Sequence, residues 1–416
     1  MRTFEIINLV LTVLFFLNYT YQFFYIPVSW LGRSKPHKET KTHTLGILIA
    51  ARNEAAVIGQ LIDSVKAQDY PADRVRIYVC ADNCTDRTAS IARRKGAVVY
   101  ERRDAARVGK GYALNFLLER ISRRRETPCD AFVVLDADNI LAPNYLTELN
   151  KTYSDEYEIV TSYRNSKNYG DNWISAGYAL WFLREARYLN RPRCLLGTSC
   201  AVSGTGFLFS RKVLEDCGGW NFFLLTEDIE FTIANVTRGV KVGYCGSAEL
   251  YDEQPTSFRQ SWRQRVRWSR GYIQVFRKYG GQLLRGMLHG SFSCFDMTMN
   301  IMPAAVLSAV SIVSNLTAAI LSFRNGGDMA ALAWSVAQLV INVCLTVFVL
   351  GAITTVTEWK HIHCAPVKKA LYLFTFPLFM LTYIPVCIAS FFGKVGWKPI
   401  EHKRALTLEE ISGRAG

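Results

Sequence analysis

Four stretches of this chain, residues 6–31, 297–323, 329–357 and 370–393, contain no Asp, Glu, Lys or Arg. A helix rises 1.5 Å per residue, so each stretch can cross roughly 30 Å of hydrocarbon. One such run could be a core helix; four argue for a membrane protein. The first lacks a small-residue cleavage site, is too long for a secretory signal, and is followed by the basic "GRSKPHKETKTH". That flank places the chain after residue 31 in the cytoplasm. "RNGGD" then closes an external hairpin between 297–323 and 329–357, and "EWKHIHCAPVKK" (358–369) is a cytoplasmic surface segment suited to gating. The last run holds Pro377 and Pro385, which break helices, and a basic tail follows it. A single crossing would strand that tail outside, so the run is read as re-entrant.

The chain therefore divides into an N-terminal transmembrane helix (1–31), a cytoplasmic domain (32–256), an amphipathic interface segment (257–290), a C-terminal membrane region (291–393) and a basic cytoplasmic tail (394–416). The predicted location is the plasma membrane. Of the net charge of +14, part follows the positive-inside bias and part offers a surface for anionic lipid or phosphate. No nucleic-acid-binding motif accompanies the arginines, which argues against that class. The 11 cysteines are odd in number and form no CxxC, so a zinc site or disulfide framework is not expected. Free thiols in a reducing compartment fit better.

Within 32–256, strand and helix patterns alternate. "TLGILIAARNE" (44–54), "RVRIYVCADNCTD" (74–86), "AVVYERR" (97–103) and "DAFVVLDADN" (130–139) read as strands. Between them "AAVIGQLIDSVKAQ", "TASIARRKGA" and "GKGYALNFLLERISRRR" read as helices, which predicts a parallel α/β sheet. Polar residues crowd the carboxyl ends of these strands: Arg52, Asn53 and Glu54, then Asp82 and Asn83, then Asp136 and Asp138. Ligands of open α/β sheets bind at those ends. Strand-terminal Asp and Asn also cap turns, so one such end would mean little; several mark a site.

"LDADN" sets Asp136 and Asp138 two apart where a strand gives way to a loop. Hard carboxylate oxygens there suit Mg²⁺ or Mn²⁺ holding a diphosphate. "LLTEDIEF" (224–231) adds Glu227 and Asp228, either as a general base or as acids in a helix's first turn behind an N-cap Thr226. Both can hold at once. "GKG" (109–111) offers Lys110 to a phosphate without being a P-loop. "SGTGF" (203–207) is a tight glycine turn that either lines a pocket or only joins strands.

Taken in order, "ADNCTD", "RVGKGYALN", "LDADN", "SGTGF", "LTEDIEF" and "QRVRW" resemble the motifs of membrane-embedded family 2 glycosyltransferases with a GT-A fold. That family includes the synthases of cellulose, chitin, hyaluronan and poly-N-acetylglucosamine. The resemblance covers residues 44–275. It implies a Rossmann-like GT-A α/β domain between transmembrane segments. It also implies a UDP-sugar donor, UDP-glucose or UDP-N-acetylglucosamine, with Ala51, Glu54 and Asp82 facing the uridine and Lys110 nearby. Asp136 would lie near the donor and Asp138 would hold the metal. Asp228, beside Glu227, would take the acceptor's proton in an inverting transfer. Trp268 would stack on the acceptor sugar next to Gly204, Thr205 and Gly206, while Gln264, Arg265 and Arg267 would meet the diphosphate.

Gln264, Arg267 and Trp268 share one helical face. The other arginines of this segment, Arg259, Arg263 and Arg270, are expected on anionic lipid head groups. The implied activity is extension of a β-linked polysaccharide at the cytoplasmic membrane face, coupled to export and served by an accessory subunit or a second copy. Transfer of a single sugar to a membrane lipid, as by ceramide glucosyltransferases, is the rival. A non-catalytic sugar-nucleotide binder is the remote third. The sequence departs from the polymer synthases in having "DNC" where many have "DGS", and one helix before the catalytic domain.

Overall fold

The structure is a computed structural model. It describes residues 20–301 apart from 35, 38–39, 124–127 and 156, then 329–392 and 405–413, with scattered positions among 6–13 and 313–324 and Gly396. Much of the apolar run 297–323, and residues 14–19 of the run 6–31, lie outside the described residues.

Eight strands form one mixed sheet: β1 (Leu45–Ala51), β2 (Val75–Asp82), β3 (Val98–Arg102), β4 (Ala131–Asp136), β5 (Ile140–Leu141), β6 (Ile159–Ser166), β7 (Phe207–Ser210) and β8 (Val242–Asp252), in the order β3-β2-β1-β4-β7-β6-β8-β5. The first four are parallel, as the alternating pattern predicts. β7 then runs antiparallel to β4 and β6, and β8 pairs parallel with β6. Strand β1 is covered on both faces, which is why it reads as an unbroken apolar run. Side chains alternate between faces. Ile47 and Ile49 join Val133 and Leu135 under helix α2 (Ile58–Lys66), through its Ile58, Leu61, Ile62 and Val65. Leu48 and Val134 turn the other way, toward Leu114 and Leu117 of α4 (Lys110–Ser122). Helix α3 (Thr88–Arg94) lies between α2 and α4 in the chain, and the preceding α1 (Tyr21–Leu31) is the described end of the first apolar run.

The second half of the domain contributes α5 (Tyr145–Ser154), α6 (Trp173–Glu185), α7 (Arg211–Asp216) and α8 (Glu227–Val236). Helix α6 starts at a capping box, Asn172 with Ser175. It then runs through a π-turn over Ala186–Asn190 into Arg191–Leu195. Next come α9 (Phe258–Leu288), α10 (Phe292–Ile301), α11 (Met329–Thr357), α12 (Pro366–Leu381) and α13 (Tyr383–Phe391). Two stretches among the described residues, Val340–Thr357 and Pro366–Phe391, are long and apolar enough to cross a membrane by length and composition. Both follow the α/β domain.

The last apolar run is two helices meeting at Thr382, with Pro377 inside the first and Pro385 in the first turn of the second. Helix α12 lies on α6 and α11, and α13 lies along α9. The segment between α11 and α12 is pinned to the α/β domain: Tyr163 donates to Glu358, and Asn165 Nδ2 donates to the His361 carbonyl at 2.7 Å. These two bonds anchor the segment to β6. After α13, helix α14 (Leu408–Ser412) seats Ile411 against Ile140 and Tyr251.

Candidate functional site

The carboxyl ends of β1, β2 and β4 open onto one cavity of about 260 Å³. Two residues just past the strand ends, Asn53 (φ 59°) and Asn83 (φ 51°), turn the chain through the left-handed region that Asn tolerates better than most. Their side chains brace the rim: Asn53 Oδ1 accepts from Thr85 N at 2.8 Å, and Asn83 Oδ1 from Asp104 N at 2.9 Å.

Of the residues singled out from the sequence, Ala51, Glu54, Asp82, Lys110, Asp136, Asp138, Gly204, Glu227, Asp228, Gln264, Arg267 and Trp268 all line this cavity. Asp82 is buried and takes Arg102 Nη1 at 2.6 Å. Lys110 Nζ reaches Asp136 Oδ1 at 2.5 Å and the Gly204 carbonyl at 2.8 Å. The amide of the same Gly204 donates to Asp228 Oδ2 at 2.6 Å. One peptide turn thus ties the lysine to the far acid. Asp228 Oδ1 accepts no hydrogen bond among the described residues.

Glu227 and Asp228 open helix α8, as expected. Thr226 holds the N-cap position, yet its side chain makes no capping bond. Its hydroxyl is instead a buried orphan on the cavity wall, as is Gln264 Oε1. Burial, reinforced by Asp228, pushes Glu227 up to about 7, against the pull of Lys110 and Arg267. Helix α9 closes one side of the cavity with Gln264, Arg267, Trp268 and Tyr272. Arg267 Nη1 donates to the Leu225 carbonyl at 2.9 Å, fixing the loop before α8. Trp268 stands edge-on to Tyr178, centroids 5.7 Å apart.

Three expectations need correction. Arg265 does not line the cavity. It sits 100° round the helix from Gln264, and it is fully buried among Phe379, Tyr383 and Tyr178, where Nη1 donates to Thr382 Oγ1 at 2.5 Å. It serves the break between α12 and α13, not the diphosphate. Thr205 and Gly206 also stand behind the wall. Thr205 Oγ1 accepts from Asp136 N at 2.9 Å and donates to Asn139, so it positions the strand end. At Gly206 (φ 68°) a Cβ would lie 2.0 Å from Leu250 Cδ2, so the turn admits only glycine. Arg270, expected on lipid, instead donates to the Ser390 carbonyl at the end of α13, at 2.9 Å.

The cavity also holds residues that sequence reasoning missed: Arg164, Trp181, Glu185, Asp252, Tyr272 and Tyr383. Tyr272 follows Trp268 at i+4, and Trp181 precedes Glu185 at i+4, so helical spacing marked both. Asp252 ends a strand, the very signal used for Asp82 and Asp136. Arg164 Nε donates to Asp252 at 2.8 Å, and its guanidinium lies 3.8 Å from the Phe182 ring centroid. Burial pushes Asp252 up to about 6, with Arg164 pulling against it and Asp138 adding to the push.

A family model described as glycosyltransferase-like family 2 matches residues 43–271. A β-monoglucosyldiacylglycerol synthase of Synechocystis is 29% identical over 239 residues, 56% of this chain and 48% of that protein. A poly-β-1,6-N-acetyl-D-glucosamine synthase of Staphylococcus aureus is 26% identical over 234 residues, 55% of this chain and 54% of that protein. The chain thus spans about half the length of these curated relatives. Among solved structures, a mannosyltransferase of Pyrobaculum calidifontis in complex with GDP-Man and Mn²⁺ matches 93% of this chain and 99% of its own, with a TM-score of 0.60 at 17% identity. That likeness establishes a shared fold.

Proposed function

We propose that this chain, which belongs to glycosyltransferase-like family 2, transfers a single sugar from a UDP-sugar to a hydroxyl of a membrane lipid. The observation that carries sugar transfer is the convergence of Asp82, Asp138, Asp228 and Trp268, distant in sequence, on one cavity. The relatives named as glucosyldiacylglycerol synthases support a lipid acceptor, as does a cavity bounded by α9 and Tyr383 of the apolar α13.

In this reading Asp82 and Glu54 hold the nucleoside end of the donor, and Lys110 and Arg267 face its diphosphate. The orphaned Thr226 hydroxyl and Gln264 carbonyl find partners on the sugar. Asp228, its Oδ2 held by the Gly204 amide, takes the acceptor's proton through its free Oδ1. The acceptor oxygen bonds to the anomeric carbon as the bond to the diphosphate breaks on the opposite face, giving inversion. Lys110 and Arg267 stabilise the charge left on the nucleoside diphosphate.

The donor set fits a hard divalent cation. Asp138 is buried against Asp252, two carboxylates whose mutual repulsion such an ion would relieve, and Asp136 stands on the same wall. Among the described residues no three His, Cys, Asp or Glu side chains form a closed cage. Mg²⁺ takes one or two carboxylates when substrate phosphates complete its shell. Bound there, Mg²⁺ or Mn²⁺ would neutralise charge on the leaving diphosphate.

The same proposal takes 366–391 as a segment that dips and returns. Its entry is pinned to the domain through Glu358 and His361, its end through Arg270, and the following helix α14 rests on β5 and β8. A C-terminal tag should be labelled only after the cells are opened; labelling of intact cells refutes this arrangement. Extension of a polysaccharide is the second reading, favoured by the poly-N-acetylglucosamine synthase relative and by Trp268, whose ring suits a sugar face. Incubating the purified protein with radiolabelled UDP-sugars and sizing the product decides: a single-sugar glycolipid supports the proposal and a polymer overturns it.

A further inference from the structure

Helix α6 has two cavities, one on either side of its last turn. Glu185 faces the catalytic cavity and Trp181 lines both. The second cavity, about 220 Å³, has apolar walls from Leu189, Met299, Val347, Leu350, Phe376 and Met380. Val347 and Leu350 belong to the membrane-length helix α11 and Phe376 and Met380 to α12, so this hollow opens among the helices that lipid would bathe. One cation stands in it. Arg184 lies 5.2 Å from the Trp181 ring centroid, and its hydrogen bond is to the neutral Gln22 Oε1 at 3.0 Å. Among the described residues no carboxylate lies within ion-pair distance of it. Burial pulls Arg184 down to about 10, an unusual position for a guanidinium. Glu185 attracts it from beyond ion-pair distance; a half-buried charge with no directly bonded carboxylate is costly, and a planar fork of donors is matched best by phosphate oxygens.

We propose that this second cavity seats a phospholipid: its phosphodiester pairs with Arg184, its apolar tail lies between α11 and α12, and its hydroxyl-bearing head reaches past Trp181 into the catalytic cavity. The acceptor role rests on the lipid-acceptor reading above. In the transfer the head-group hydroxyl gives its proton to Asp228 and its oxygen to the anomeric carbon. The sugar–diphosphate bond breaks, and its electron pair leaves with the nucleoside diphosphate. The phosphodiester is untouched; it serves only as a handle. Diacylglycerol, which has a hydroxyl but no phosphate, would lack that handle.

The test uses the full-length protein in nanodiscs with radiolabelled UDP-glucose, offering phosphatidylglycerol or diacylglycerol. The wild type should glucosylate phosphatidylglycerol in preference. Arg184→Gln should raise KM for phosphatidylglycerol by about tenfold or more, change kcat little and abolish the preference, and Arg184→Lys should restore part of it. Lipid seating is read separately. Phosphatidylglycerol with brominated acyl chains should quench Trp181 fluorescence, isolated as the difference between wild type and Trp181→Phe. Leu350→Trp, which fills the cavity, should remove the effect with Arg184 intact. Equal use of both lipids by wild type and Arg184→Gln, or no Trp181-specific quenching, overturns the proposal. Arg184-dependent quenching without any glycolipid product keeps the cavity assignment and sinks the acceptor reading instead.

Discussion

Replacing Glu227 by Gln tests the electrostatics of the catalytic cavity through stability. Glu227 is 8% exposed and lies beside Asp228, and burial pushes it from its ordinary 4.5 up to about 7. Below pH 4.5 the group is neutral in both folded and unfolded chains and contributes nothing to the difference. Between 4.5 and 7 the folded state keeps a proton that the unfolded chain has released. Stability therefore falls with rising pH across this window, and the full penalty is present above it. A displacement of this size corresponds to roughly 3 kcal/mol, at about 1.36 kcal/mol per pH unit. Gln preserves shape and carries no titration, so Glu227→Gln should match wild type near pH 4.5 and exceed it progressively to pH 8. Thermal unfolding in detergent, followed by tryptophan fluorescence across that range, gives the difference curve, in which titrating groups remote from Glu227 cancel and the pair with Asp228 is read as a unit. A gain of several degrees at pH 8 that vanishes at the acid end is expected. A difference independent of pH would refute the assignment of the buried proton to Glu227.

Three further outcomes follow from the geometry. Asp228→Asn should lower kcat by about a thousandfold while nucleotide affinity, measured calorimetrically, stays within a few fold, because the amide keeps the Gly204 contact but accepts no proton. Gly111→Ala should destabilise the fold by about 1–3 kcal/mol, since its Cβ would stand 2.1 Å from the Phe222 carbonyl oxygen; unchanged denaturant midpoints would count against the close approach of α4 to that loop. Arg193→Met should cost about 3–5 kcal/mol, because Asp296 would lose its bidentate partner and keep only Tyr21 and Tyr25 at 2.6 and 2.8 Å. The double change with Asp296→Leu should recover most of that loss in the same unfolding assay.

The four parallel strands and their polar carboxyl ends were legible because periodicity and strand-terminal acids are local signals. So was the face shared by Gln264, Arg267 and Trp268, which needs only helical geometry. The role of Arg265 was not legible: one residue's rotation sends it to a helix break more than a hundred positions away, and no local pattern encodes that meeting. The same holds for Arg164, whose partner Asp252 comes from a neighbouring strand far along the chain. The glycines of "SGTGF" left two readings open, and both proved partly right. Gly204 lines the cavity, whereas Gly206 is demanded by Leu250 and Ser162 packed behind it. Arg270 was assigned to lipid because its charge sits on an amphipathic helix, yet the carbonyls at the end of α13 claim it.

Arg265 and Arg270 hold α13 from the same helix, α9, whose opposite side presents Trp268 and Arg267 to the cavity. These two clamps make the apolar segment and the catalytic wall one mechanical piece. On the proposed membrane-seated arrangement, a tilt of α13 would pass through both arginines to α9 and displace the Trp268 indole on the cavity wall.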